Sequence, residues 1–163
     1  MPSYRQTIAF CLAALAAALA PLAAGSQTPP PPSTTYRPGL GDLMTMTVQP
    51  RHLKVGLAGQ QRNWTYAAYE LHELEEALER VARISPKWRE VDIAGLIKGS
   101  TEGPIEALEQ AIKAKDVARF DAAYGQLTSA CNACHQSANV GFIAIQIPRS
   151  SPFANQDFRP VNP

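Results

Sequence analysis

The sequence has little glycine, few aromatic residues and no run of basic residues. Only 10 of its 163 residues are Gly, and it contains no phosphate-binding loop and no dinucleotide-binding glycine pattern. The 15 Lys and Arg residues nearly balance the 14 Asp and Glu residues, so the basic stripe that nucleic acid requires is missing. No nucleophile with an adjacent base can be recognised either. These absences argue against nucleotide chemistry, nucleic-acid binding and enzyme activity.

The N-terminal segment has the features of a secretory signal peptide. Arg5 is followed by an apolar run from Ile8 to Leu19 and then by small residues that end at Gly25. This run is short and alanine-rich for a membrane span of about 20 residues, so residues 1–25 are predicted to be cleaved on export to the periplasm. Residues 26–38 contain four consecutive prolines and predict an extended tether without a core.

The apolar pattern predicts an all-α fold with four helices in a domain over residues 39–140. The first helix spans about Leu40–Gly59, and the second follows Asn63 as its N-cap. A break is expected at residues 99–103, so the third helix runs from about Glu102 to Ala114. The fourth helix follows Asp116 as its N-cap.

Two of these helices carry informative stripes. The second has an acidic run, interpreted as a solvated face, which comprises Glu70, Glu73, Glu75, Glu76 and Glu79. In the fourth, apolar side chains recur at spacings of three and four, at Val117, Phe120, Tyr124 and Leu127, and then Cys131 and Cys134. The two cysteines therefore continue the apolar stripe and are expected to face the core.

Cys131, Cys134 and His135 belong to the segment CNACH, which has the CxxCH spacing of c-type haem attachment. Two thiols on one helical face can bond to the two vinyl groups of haem, and the next imidazole can coordinate the iron. A bare CxxC also occurs in thiol oxidoreductases and in half of a zinc site. The third cysteine, Cys11, leaves with the signal peptide, so no second pair completes a zinc site. The predicted cofactor is one covalent haem, with His135 as an axial ligand.

The segment Phe120–His135, on the last helix of an exported four-helix pattern, resembles the class II cytochromes c, the family of cytochrome c prime. The resemblance covers about residues 40–138 and implies an up-down-up-down bundle with haem at one end. It also implies that a residue of the first helix faces the axial histidine across the iron. This residue is a methionine ligand in electron-transfer members and a non-ligating apolar side chain in gas-binding members. Members usually carry an aromatic residue and an arginine within the next few residues after the haem histidine, whereas here Gln136, Ser137, Ala138 and Asn139 follow.

Three residues of the first helix are considered as the opposing ligand: Met44, Met46 and His52. Counting along antiparallel helices at about 1.5 Å per residue puts both methionines near the level of His135 and His52 about 12–15 Å away. The methionines are about 200° apart around a helix, so only one can face the iron. Met44 shares its stripe with Val48 and is the predicted ligand. Core packing of both methionines is the alternative.

Together these features predict a periplasmic monohaem cytochrome c that exchanges single electrons with partner proteins. Two alternatives stay open: a gas-binding cytochrome with five-coordinate iron, and an exported dithiol redox protein without haem. A homodimer is compatible with the two apolar stripes of the first helix. Residues 141–163 include an apolar stretch, so this tail is expected to fold back over the haem edge or the helix ends. By excluding water it would raise the reduction potential.

Overall fold

The computed structural model describes residues 36–161, so the predicted signal peptide and most of the tether lie outside the described residues. Within this range the chain is mainly helical, as predicted, with four helices and one short hairpin. Helix α1 has three consecutive parts: Leu40–Leu43, the π-helical Met44–Val48, and Gln49–Gln60. The remaining elements are α2 (Trp64–Ile84), β1 (Lys87–Trp88), β2 (Val91–Asp92), α3 (Ile93–Ala114) and α4 (Val117–Ser137). None of the described helices is both long and apolar enough to cross a membrane.

Local capping signals set where α2 and α4 begin. Asn63 Oδ1 accepts a hydrogen bond from the Tyr66 N–H at 3.2 Å, and Asp116 Oδ1 accepts one from the Arg119 N–H at 3.1 Å. Each side chain satisfies an amide of the first turn that has no partner within the helix. Both predicted N-caps are confirmed.

Helix α3 is longer than the sequence pattern predicts. It begins at Ile93, and Asp92 is its N-cap, accepting a hydrogen bond from the Gly95 N–H at 3.1 Å. The predicted break at residues 99–103 is wrong, because a continuous buried stripe passes through it: Ile93, Ile97, Thr101, Ile105, Leu108 and Ile112. Burial of this stripe outweighs the low helix propensity of the two glycines, which costs about 1 kcal/mol each.

One member of the acidic run on α2 is buried, which corrects the interpretation of the whole run as solvated. Glu70 is 1% exposed, and its carboxylate lies 3.0 Å from Arg51 Nη1 and 3.6 Å from Lys54 Nζ on α1. Glu73 also pairs with Arg51, at 3.1 Å. A carboxylate can be buried only when such partners compensate for the lost water. The ion pairs therefore connect α1 to α2.

The core lies between the helices, with α1 packed on α2, α2 on α3 and α3 on α4. Helix α1 also contacts α4 at two glycines. A Cβ atom on Gly56 would lie 2.5 Å from the Tyr124 ring, and one on Gly59 would lie 2.0 Å from the Phe120 ring. Glycine at these positions lets two aromatic side chains of α4 pack directly on the backbone of α1.

We expect Gly59→Ala to lower the free energy of unfolding by about 1–3 kcal/mol, because the new methyl group overlaps the Phe120 ring. The matched control is Gly99→Ala, since the Cβ that it adds inside α3 has no atom within 4 Å apart from the nearby backbone of its own helix. Its better helix propensity is expected to stabilise the protein by up to about 1 kcal/mol. Urea unfolding measures both variants. Equal changes in the free energy of unfolding of the two variants would contradict the close contact between α1 and α4.

Residues 141–161 have no regular secondary structure, are mostly exposed and contact the helices at a few positions. Gln60 Nε2 donates a hydrogen bond to the Pro148 carbonyl oxygen at 3.1 Å. Phe158 is buried, and its ring stacks on the Tyr66 ring at a centroid distance of 5.4 Å. The tail therefore extends the hydrophobic core beside α1 and α2.

Candidate functional site

A cavity of about 330 Å³ lies where the C-terminal end of α4 meets the N-terminal parts of α1 and α3. Cys131, Cys134 and His135 all line it. Most of the other lining side chains are apolar, among them Leu40, Val48, Leu78, Trp88, Ile97 and Ile145. Among the described residues, no Lys, Arg, Asp or Glu lines the cavity. Cofactor sites are typically concave, mainly apolar and about 300–1,000 Å³ in volume, so this cavity fits a large apolar group.

Cys131 and Cys134 face this cavity from the same side of α4, and both are free, half-buried thiols. Burial raises the pKa of Cys131 to about 11, with a further contribution from Cys134 nearby. Burial also raises the pKa of Cys134. Both side chains are therefore protonated at neutral pH. Dithiols that exchange with disulfides depend on a lowered thiol pKa, so this environment is the opposite of the one they need.

One ring nitrogen of His135 forms a hydrogen bond, and the other has no hydrogen-bond partner within residues 36–161. Its Nδ1 donates a hydrogen bond to the Ile143 carbonyl oxygen at 2.7 Å, and Nε2 has no hydrogen-bond partner within residues 36–161. A carbonyl oxygen can only accept, so the neutral imidazole carries its proton on Nδ1 and keeps the lone pair on Nε2. Metal-bound histidines usually donate their second ring N–H in this way, which fixes the ring and raises its basicity. Nε2 is therefore the ring nitrogen that could bind a metal ion.

Two of the three ligand candidates on α1 reach the cavity. Met44 and His52 line it, whereas Met46 is 75% exposed. Met44 and His52 are eight residues apart, so the cavity runs about 12 Å along α1. The segment Met44–Val48 is π-helical and ends two residues before Pro50, whose missing N–H cannot close a regular turn. Such π-helical turns are frequent at functional sites.

His52 is committed to a buried hydrogen-bond network. Its Nε2 lies 3.1 Å from Thr128 Oγ1, and the Tyr124 hydroxyl lies 3.2 Å from its Nδ1. The Tyr124 hydroxyl also donates to the His52 carbonyl oxygen at 2.9 Å. Burial lowers the pKa of His52 to about 4, so the ring is neutral at physiological pH. Iron ligation by His52 would break one of these bonds, whereas the Met44 thioether has no hydrogen bond to lose within residues 36–161.

The structure adds residues to the site that the sequence pattern does not indicate. Trp88 reaches the cavity from β1. Asn132, between the two cysteines, accepts a hydrogen bond from the Ile145 N–H at 2.7 Å and donates one to the Ile145 carbonyl oxygen at 2.9 Å. The apolar stretch of the tail was expected to be covered, but Phe142 is 84% exposed and Ile143 and Ile147 are each 47% exposed, so the tail packs on the helices only at particular contacts. Nothing in the sequence indicated which polar side chain would hold it.

Comparisons with family models, with curated proteins and with solved structures found no match. Within residues 36–161, no group of three or more His, Cys, Asp or Glu side chains is arranged to hold a metal ion. The resemblance to the class II cytochromes c therefore rests on the residues of α4 and on the helical pattern around them.

Proposed function

We propose that the protein is a periplasmic monohaem cytochrome c that transfers single electrons between redox partner proteins. One observation carries this proposal: Cys131, Cys134 and His135 line one apolar cavity, and Nε2 of His135 is free to bind a metal. Haem supplies the one-electron chemistry, because its iron alternates between the ferrous and ferric states. The export of the chain is inferred from the sequence of residues 1–25.

The proposed architecture is an up-down-up-down four-helix bundle. Short connections support it, since α1 and α2 are separated by residues 61–63, and α3 and α4 by residues 115–116. Consecutive helices that pack together across such short loops are antiparallel neighbours. In this arrangement the start of α1 and the end of α4 meet at the same end of the bundle, where the cavity lies.

The residues of the cavity would attach, orient and enclose the haem. Cys131 and Cys134 would hold it through two thioether bonds, and His135 would bind its iron through Nε2. Met44 would offer its sulfur as a further ligand. The Ile143 carbonyl oxygen keeps the remaining ring proton of His135 on Nδ1. An apolar wall without charged side chains would disfavour the extra positive charge of a ferric haem and so would raise its reduction potential.

Met44→Ala tests the second ligand, with Met46→Ala as the matched control at an exposed position. In the proposed cytochrome the sixth position of the iron is filled, so ferrous wild type and Met46→Ala react with carbon monoxide weakly and slowly. Met44→Ala vacates this position and is expected to bind the gas rapidly and completely. Absorption spectra of the reduced proteins, made in a periplasm with haem-maturation machinery, measure the difference with and without the gas.

Other outcomes of the same spectra favour the alternatives. A high-spin wild type that carbon monoxide shifts completely would indicate a gas-binding cytochrome with five-coordinate iron, in which Met44 packs in the core. A wild type without any haem spectrum would contradict both cytochromes and favour the dithiol protein.

A further inference from the structure

The segment after α4 turns back beside the end of this helix. Asn139 has a φ of 58°, and the Val140 N–H donates to the His135 carbonyl oxygen at 2.8 Å, which closes the helix. A second turn is closed by the Ile143 N–H and the Val140 carbonyl oxygen, at 2.9 Å. These two turns return residues 140–145, here named the strap, to the last turns of α4.

The Asn132 side chain on α4 forms hydrogen bonds with both the backbone N–H and the backbone carbonyl oxygen of Ile145 in the strap. Asn132 Oδ1 accepts from the Ile145 N–H at 2.7 Å, and Asn132 Nδ2 donates to the Ile145 carbonyl oxygen at 2.9 Å. This reciprocal pair is the arrangement by which two antiparallel strands bind each other. Asn132 lies three residues before His135, on the adjacent turn of α4. The paired hydrogen bonds therefore fix the strap next to the axial histidine.

Hydrogen bonds as well as apolar contacts keep the strap in place. Val140 and Ile145 line the cavity, whereas Phe142 is 84% exposed and gains little from removing apolar surface from water. The Ile143 carbonyl oxygen of the strap lies 2.7 Å from His135 Nδ1. The Ile143 carbonyl is two residues before the Ile145 carbonyl, which is hydrogen-bonded to Asn132. If Asn132 released the strap, water would compete with the carbonyl for the His135 proton.

We propose that Asn132 is a positioning residue for the axial ligand, acting through the strap to hold the Ile143 carbonyl oxygen against His135 Nδ1. This inference rests on the proposed haem function. A fixed acceptor at Nδ1 increases the basicity of the imidazole at Nε2, and so the strength with which the ring donates electrons to the iron. Asn132 thereby affects the iron without touching it.

The test is the rate at which the His135 Nδ1 proton exchanges with solvent deuterium, measured by NMR on the haem-loaded protein. Asn132→Ala removes both hydrogen bonds to the strap and is expected to accelerate exchange about tenfold or more, equivalent to about 1.4 kcal/mol of lost protection. Asn132→Asp keeps the acceptor and loses the donor, so its rate should be intermediate. The matched control is Ser137→Ala, because within residues 36–161 this hydroxyl bonds only to the Ala133 carbonyl oxygen of its own helix. In this variant the His135 Nδ1 proton should exchange at the wild-type rate.

The outcomes separate this inference from the function on which it rests. A graded series, slowest in wild type and Ser137→Ala and fastest in Asn132→Ala, supports the positioning role. If Asn132→Ala lowers the urea midpoint but leaves the proton exchanging at the wild-type rate, Asn132 is merely structural and the inference is overturned. A wild type without haem contradicts the proposed function, and this assignment with it, before any variant is compared.

Discussion

Cys131→Ala/Cys134→Ala is expected to leave the exported protein without covalently bound haem. Both thiols line the cavity, and Cys11 belongs to the predicted signal peptide, so no other cysteine can replace them. Denaturing electrophoresis followed by peroxidase staining detects haem only where a thioether bond survives. The wild type should stain, the double variant should not, and each single variant should stain weakly because one bond remains.

Cys11→Ser provides the matched control, since it changes the third cysteine and should leave the staining unaltered. A stained double variant would contradict the assignment of the two attachment cysteines. An unstained wild type with two titratable thiols would instead favour the dithiol protein. That alternative conflicts with the pKa of Cys131, which burial raises to about 11. At pH 7 such a thiol is ionised in about one molecule in ten thousand.

The protein is expected to lose about 2 kcal/mol of stability through His52 when the pH falls from 7.5 to 5. The pKa of His52 is about 4 in the folded protein and about 6.5 in the unfolded chain, because burial disfavours the charged ring. As the pH falls below about 6.5, the unfolded chain takes up the proton first and is stabilised. The loss reaches about 3 kcal/mol near pH 4, where the folded protein is protonated too.

Urea unfolding at the two pH values measures this effect. His52→Asn removes the titrating ring. Between pH 7.5 and 5, its free energy of unfolding should therefore fall by about 2 kcal/mol less than that of the wild type. His72→Asn is the matched control, because the His72 side chain is 66% exposed on α2. It should keep the wild-type dependence. If His52→Asn kept it as well, the neutral buried imidazole would not be the source of the acid sensitivity.

Where a helix begins could be predicted when the signal was local and nothing distant opposed it. Asn63 and Asp116 each precede an apolar repeat and bond to an amide three residues on, so sequence alone identified them. The start of α3 was missed although Asp92 is a cap of the same kind. The glycines of residues 99–103 favoured a break there, and only the packing of the buried stripe shows why the helix continues through them.

Contacts between distant residues explain the remaining errors. Glu70 shares a helix with exposed acids, and its burial depends on Arg51 and Lys54 of α1, which no pattern within α2 reveals. The short hairpin between α2 and α3 was not predicted either, because strands of two residues are too short for an alternating pattern.

In the candidate site, too, local patterns could be predicted from the sequence, whereas contacts between distant residues could not. The spacing of Cys131, Cys134 and His135 is local, and it identified three residues that the structure brings to one cavity. Helix periodicity predicted that only one of Met44 and Met46 faces the site, and Met44 is the one on the cavity wall. The strap and its hydrogen bonds to Asn132 depend on how the chain turns after α4. Such pairing leaves no repeat in the sequence.

The parts of the cavity emerge in the order in which the chain is synthesised. Helices α1 and α3 contribute their walls early, whereas the two thiols, the His135 imidazole and the strap all follow α3. Because the N-terminal parts of a chain emerge and fold first, a chain interrupted before Cys131 contains the first three helices and part of α4, but none of the groups that would attach haem in the proposed cytochrome. If the proposed function holds, colour would thus mark chains whose translation has passed beyond Cys131 and Cys134.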